Sequence, residues 1–218
     1  ADQTYNKHVA IGTAESVQPT KHGVLFKSKE GTLQVTVYSP SIIKVHIAKS
    51  GRIPDTLSYA QKQGLVPSSA FSAQDTPLAY RIETDSMAMI ISKNPIRIRF
   101  ISKSGILLNE DEPAFGTGWI GEEVTTYKRL IPDEKFIGMG EKTGGLNRRG
   151  EGFTHWNTDY FGYPTNADPI YMSTPFYIGL HETEGAKVMY GIFMDNSYKS
   201  HFNFGASNDR FASFTAED

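Results

Sequence analysis

The chain contains no cysteine, which removes a disulfide framework and thiolate chemistry from consideration. That absence does not fix a compartment, because exported bacterial proteins without cysteine are common. No apolar run approaches the roughly 18 residues that a membrane-spanning helix requires, so no membrane span is expected. Neither sign of charge dominates: 22 Lys and Arg stand against 24 Asp and Glu. A net charge of -2 gives no electrostatic case for nucleic acid or for an anionic membrane. No internal repeat and no coiled-coil heptad is present either. What remains is an ordinary soluble composition, long enough at 218 residues for one large domain or two small ones. The N-terminus, ADQTYNKHVA, lacks a basic stretch followed by an apolar one. Small Ala1 suits the residue left after signal cleavage, as it suits a trimmed chain, and export to a bacterial periplasm or exterior is the expectation.

The first half alternates with period two. Leu33, Val35 and Val37 interleave with Gln34, Thr36 and Tyr38; Ile43, Val45 and Ile47 interleave with Lys44 and His46; Ile96, Ile98 and Phe100 interleave with Arg97 and Arg99. Each run places apolar side chains on one sheet face and polar ones on the other, the pattern of a half-buried antiparallel strand. Turn signals separate the runs at residues 29–31, 39–41, 92–95 and 103–105. Two stretches break the rhythm. Residues 51–77 read as a long loop over a short strand near Tyr59, and residues 109–120, NEDEPAFGTGWI, as an excursion between hairpins. Strand patterns return at residues 176–180, 188–194, 201–204 and 210–214, with Glu184-Gly185 as a turn between the first two. The fold class expected is all-β, an antiparallel β-sandwich over residues 1–218. The sequence stops at FTAED directly after a strand, which reads as a domain cut from something longer.

Several chemical motifs are approached but not met. In the stretch Gly138-Met139-Gly140-Glu141-Lys142-Thr143-Gly144-Gly145 the third glycine is one position late for GxGxxG. Lys142-Thr143 also precedes the glycines that a P-loop would place before it. Glycines opening a loop at a strand end, through positive φ and close backbone approach, account for the pattern better. His181-Glu182-Thr183-Glu184 lacks the second histidine of a zinc motif, and no histidine spacing suits a metal. No metal and no cofactor is expected.

Carboxylates and aromatics between Lys135 and Tyr177, with Asp195 beyond them, remain. Glu141, Glu151, Asp159, Asp168 and Asp195 are candidates for acid/base work on sugars, which needs two carboxylates at set distances. Pairing with Arg148 or Arg149, or closing a turn, is the default for most. Asp159 is the exception. It follows Trp156, Asn157 and Thr158 in a buried-looking tetrapeptide and precedes Tyr160, Phe161 and Tyr163. Aromatic faces beside a carboxylate suit a sugar's C–H face and its hydroxyls together.

Three ordered motifs carry a resemblance. The run G-M-G-E-K-T-G-G-L-N-R-R-G (138–150), then W-N-T-D (156–159), then D-P-I-Y-M-S-T-P-F-Y-I (168–178) resembles the N-terminal domain of glycoside hydrolase family 31, the α-glucosidases, α-xylosidases and relatives. The likeness is dense over residues 135–196 and weaker before, where S-Y-A (58–60) is a minor echo. It implies a galactose mutarotase-like supersandwich placed before a catalytic (β/α)₈ barrel that this chain lacks. The family's nucleophile and acid/base lie on the barrel, so no catalytic residue is expected here; Met194-Asp195-Asn196 does not match the nucleophile motif. The resemblance gives Asp159 the role of contacting the sugar, with Thr158, Asn157 and Trp156 beside it. The function implied is a non-catalytic domain of a retaining α-glucosidase-type enzyme, with an α-linked glucoside oligosaccharide and the barrel as partners. Two other readings stay open: a stand-alone carbohydrate-binding module, and a complete aldose mutarotase, which would need a histidine and a carboxylate facing one pocket.

Overall fold

A computed structural model describes residues 7–49, 51, 53, 58–62, 64–183 and 185–217. Among them there is no α-helix, hence none long and apolar enough to cross a membrane. The chain forms two compact units, Lys7–Trp119 and a second from Ile120 onward.

The first unit begins with β1 (Val9–Ala10), β2 (Ala14–Thr20), β3 (Gly23–Ser28), β4 (Thr32–Ser39) and β5 (Ile42–Ala48). It continues with β6 (Ser72–Asp75), β7 (Ala79–Glu83), β8 (Met87–Lys93), β9 (Ile96–Ser102), β10 (Leu107–Glu110) and β11 (Thr117–Ile120). One sheet runs β2-β3-β4-β5 and another β10-β9-β8-β7-β6, every pair antiparallel. The expected alternation holds in β4, where Leu33, Val35 and Val37 are buried and Gln34, Thr36 and Tyr38 only partly so. Phe26 of β3 meets Tyr80 of β7 edge-on at 6.1 Å, so the two sheets share a core. The predicted turns fall between strands as expected.

Two expectations are corrected here. Tyr59 lies in a turn, 90% exposed, and the strand in that stretch comes later, at β6. Residues 109–120 are not a plain excursion, since they include the end of β10 and all of β11. Asn109, Glu110, Asp111 and Glu112 are buried there, and buried polar residues erase the alternation by which a strand is recognised. Asp111 accepts a hydrogen bond from the Ile98 amide, and Glu112 accepts two from Ala114 and Phe115, so these carboxylates do backbone work.

The second unit holds β12 (Glu123–Arg129), β13 (Lys135–Gly140), β14 (Gly152–His155), β15 (Ser173–Thr183), β16 (Ala186–Phe193), β17 (Ser200–Asn203) and β18 (Phe211–Ala216). Strands β12-β18-β17-β14 lie side by side, and β13-β15-β16 form a second sheet. The four C-terminal strands expected from the sequence are all present; the turn at Glu184-Gly185 lies partly outside the described residues, at Glu184. Both sheets contribute to one aromatic core. Tyr177 of β15 packs against Phe136 of β13 at 5.5 Å and against Phe214 of β18 at 5.6 Å. Phe202 of β17 lies 6.4 Å from Tyr177 and 5.1 Å from Phe214. Offset and edge-on rings of this kind add about 0.5–1.5 kcal/mol per pair beyond area burial. Phe202 is 1% exposed and its neighbours are too large to collapse into its place. Phe202→Ala is therefore expected to destabilise the fold by about 3–5 kcal/mol, read as a lower urea midpoint with an unchanged slope.

Candidate functional site

Strand β13 ends in an unusual backbone. Gly138, Met139 and Gly140 have φ of 123°, 79° and 74°, and the β13–β15 register slips between the two glycines. A Cβ at Gly138 would sit 2.7 Å from the Phe176 carbonyl oxygen, and one at Gly140 would sit 2.8 Å from the Thr174 amide nitrogen. Space and dihedral angle both demand glycine, as the sequence pattern implied. Met139 has a side chain yet adopts the left-handed region, and its complete burial in the core holds it there.

Beyond this bulge the chain wraps around Arg148. The guanidinium donates to the Thr143 carbonyl at 2.8 Å and to the Gly145 carbonyl at 2.7 Å, and lies 5.1 Å from the centre of the Phe153 ring. Arg149 donates to the Ile131 and Glu134 carbonyls. The expected pairing of these arginines with carboxylates gives way to carbonyl binding. The carboxylate of Asp168 pairs instead with Lys142, at 2.5 Å, and also accepts from the Thr154 amide at 2.5 Å. The Lys142 side chain has no exposure to solvent, and its ammonium donates a further bond to the Thr154 carbonyl. Asp168 is thus a structural residue.

The loop from Trp156 to Met172 rises from this base. Its closing end is tied by the Lys142–Asp168 pair and by a bond from Thr143 Oγ1 to the Ala167 carbonyl at 3.2 Å. Higher up, Asn157 Oδ1 accepts from the Ser173 amide at 2.8 Å and Tyr171 donates its hydroxyl to the Tyr160 carbonyl at 2.9 Å. The rings of Tyr163 and Tyr171 meet edge-on at 5.8 Å. Between these ties stands Asp159, exposed, its carboxylate without a hydrogen bond or ion pair among the described residues. Thr158 Oγ1 is turned back onto the Trp156 carbonyl at 3.0 Å.

The tetrapeptide that looked buried is therefore corrected. Trp156 is 53% exposed, and nearby Phe161 is 95% exposed. Tethered backbone with solvated aromatic faces and a free carboxylate can accept hydroxyls and cover an apolar sugar face. Asn157 is placed differently from Asp159, because its side-chain oxygen already serves the fold. Glu141 is exposed near the loop base, and Asp195 lies beyond β16. No group of three or more metal-ligating residues gathers among the described residues.

Three buried polar groups near this base escaped sequence reading. Lys142 looked like part of a glycine-rich loop, and its partner lies 26 residues away. Glu134 accepts from the Tyr190 hydroxyl at 2.6 Å and from the Ile131 amide at 3.0 Å; burial raises its pKa above the ordinary carboxylate value. His155 packs 5.0 Å from Phe202, with neither ring nitrogen hydrogen-bonded among the described residues. Burial, assisted by the charge of Lys142, lowers its pKa to about 4.

Comparison with known proteins places these features in a lineage. Residues 32–203 match the glycosyl hydrolase 31 N-terminal galactose mutarotase-like domain. Alpha-glucosidase 2 of Bacillus thermoamyloliquefaciens is 29% identical over 219 aligned residues, 99% of this chain and 27% of that protein. Alpha-xylosidase XylQ of Lactiplantibacillus pentosus is 24% identical over 57% of this chain and 16% of its own length. Among solved structures, the family 31 dextranase of Flavobacterium johnsoniae, bound to isomaltotriose, superposes with a TM-score of 0.83 at 28% identity. That alignment covers 96% of this chain and 25% of the dextranase. The chain thus spans about a quarter of the length of these full-length glucosidase and dextranase relatives.

Two outcomes follow from the buried groups. Asp168→Ala leaves the Lys142 ammonium buried without its counter-charge and is expected to lose about 3–5 kcal/mol of stability, measured by chemical denaturation at neutral pH. For His155, the unfolded chain takes up the proton more readily than the folded one. Its neutral ring stabilises the fold above the ordinary value of 6.5, and that contribution is lost as pH falls toward about 4. The loss is on the order of 3 kcal/mol. His155→Phe should flatten the decline in stability between those two pH values relative to the parent.

Proposed function

The chain belongs to the glycosyl hydrolase 31 N-terminal galactose mutarotase-like domains, and on that premise we propose that it is the non-catalytic, substrate-positioning domain of a retaining α-glucosidase-type enzyme. Its sheet pairs, each sharing a core within its own unit, are read as β-sandwiches of the mutarotase kind. The observation that carries the proposal is Asp159: an exposed carboxylate unclaimed by the fold, on a loop tied at several points and lined with solvated aromatics. Its two oxygens accept sugar hydroxyls, while Trp156 and its aromatic neighbours cover C–H faces. Such contacts hold an α-linked glucoside in place without breaking a bond. Bond breaking belongs to a catalytic barrel, in the portion of the relatives that this chain does not span.

A surface for that barrel is available on the sheet β13-β15-β16. Side chains alternate along its strands, and the face turned from the aromatic core carries Phe176 opposite Phe193 and Leu180 opposite Met189. Met189 is 69% exposed, Phe193 44% and Phe176 38%. Apolar cross-strand pairs facing water mark a surface meant to be covered. The glucoside reading draws on the near-complete overlap with an α-glucosidase and on the isomaltotriose complex of the dextranase. The wide exposure of Phe161 favours a second reading, a stand-alone carbohydrate-binding module.

Kinetics separate the two. In the intact enzyme, Asp159→Ala is expected to raise KM and lower kcat/KM by about 5- to 150-fold, equivalent to about 1–3 kcal/mol of lost charged hydrogen bonding. The 218-residue chain alone should hydrolyse none of a p-nitrophenyl α-glycoside panel. Unchanged kinetics on every α-glucoside tested would remove Asp159 from the site. Maltose or isomaltose binding at millimolar affinity or better by the isolated chain would favour the binding module.

A further inference from the structure

The carboxylate of Asp159 is free, but the backbone that carries it is not. Before it in the chain, Asn157 Oδ1 accepts from the Ser173 amide at 2.8 Å. After it, the Tyr160 carbonyl accepts from the Tyr171 hydroxyl at 2.9 Å. Both bonds reach the same stretch, Tyr171-Met172-Ser173, so residues 157–160 are pinned to residues 171–173 on either side of Asp159.

That stretch is itself fixed by a sheet. Ser173 opens β15 and pairs with Gly140 beyond the slipped register, and the Met172 carbonyl accepts from the Glu141 amide at 3.2 Å. Thr158, between Asn157 and Asp159, keeps its hydroxyl on the Trp156 carbonyl. Position therefore passes from β13 and β15, through Ser173 and Tyr171, to both ends of the short segment that holds Asp159.

Burial does not demand these ties. Asn157 is exposed, and Tyr160 and Tyr171 are 43% and 39% exposed, so water offers their polar groups equivalent partners. What such bonds do in an exposed loop is restrict its conformation. A carboxylate that accepts sugar hydroxyls binds more tightly when its backbone already has the bound geometry, because the cost of ordering does not fall on the binding step. A plain connection between β14 and β15 gains nothing from being pinned on both sides of a solvated charge.

We propose that Asn157 and Tyr171 are positioning residues, whose polar groups act through Asp159 rather than on the sugar. The inference rests on the substrate role given to Asp159. Steady-state kinetics of the intact enzyme on maltose, isomaltose and p-nitrophenyl α-glucoside test it. The variants are Tyr171→Phe, Asn157→Ala, Asp159→Ala and the two doubles that combine either tie variant with Asp159→Ala. Tyr171→Phe removes one oxygen and keeps the ring that meets Tyr163. Each tie variant should raise KM by about 2- to 10-fold, the range of one lost hydrogen bond, with kcat nearly unchanged. A merely structural defect would instead reduce the amount of active enzyme, lowering kcat at constant KM. In the Asp159→Ala background either tie variant should change KM by less than about 2-fold, because the group it positions is gone. Parent-like KM in both tie variants, with KM raised in Asp159→Ala, would overturn the positioning and leave the role of Asp159 standing. Full additivity with Asp159→Ala would show independent action and overturn the positioning as well. Parent-like kinetics in Asp159→Ala would remove both readings.

Discussion

A lysine ammonium removed from water needs compensation at close range, and Lys142 finds it in the Asp168 carboxylate and the Thr154 carbonyl. That one point gathers three segments distant in sequence: the exit from the β13 bulge, the middle of β14 and the closing end of the aromatic loop. Because Thr154 pairs with His201 in β17, the loop is referenced to a sheet rather than to another loop. The glycine bulge gives Lys142 its approach, since a straight β13 would stay in register with β15 throughout.

The second unit therefore works by contrast. Its interior is a set of aromatic rings that fix one another, with Tyr177 touching Phe136, Phe204 and Phe214. Its loop tip keeps a carboxylate that the fold does not use. A charge left in water retains its solvation until a ligand replaces it, so Asp159 burdens the fold little. Asp168, nine residues further on, is spent on structure. Nothing in the local composition separates the two; only the partner does.

This explains which features could be read from sequence. Strand β4 was visible because one face is wet and the other dry, so that Leu33, Val35 and Val37 alternate with polar neighbours, and β9 shows the same at Ile96 and Ile98. In β5 the residue types alternate although both faces are partly buried. The end of β10 and the chain just after it were hidden because Asn109, Glu110, Asp111 and Glu112 are polar and buried at once. Tyr59 suggested a strand through its β propensity but stands almost wholly in solvent, where propensity decides little. The position of Asp159 on an aromatic loop was legible from its neighbours and from the family likeness. The exposure of Trp156 was not, since tryptophan in a polar loop suits a pocket floor as well as a rim. The Lys142–Asp168 pair and the buried His155 depend on tertiary contact and left no local signal.

The bond from Tyr171 to the Tyr160 carbonyl closes a small ring of chain whose far side, residues 161–170, carries Phe161 and Tyr163. Loop closure grows only logarithmically with length, so doubling such a segment adds about 0.6 kcal/mol to the folding cost. Ala167, Asp168 and buried Ile170 stay fixed with the ends, while residues 161–166 face solvent and are nearly free to change. Evolution, or a designer, therefore has a cheap handle at residues 161–166: lengthening that stretch alters how far Phe161 and Tyr163 project, and leaves Asp159 and the sheets where they are.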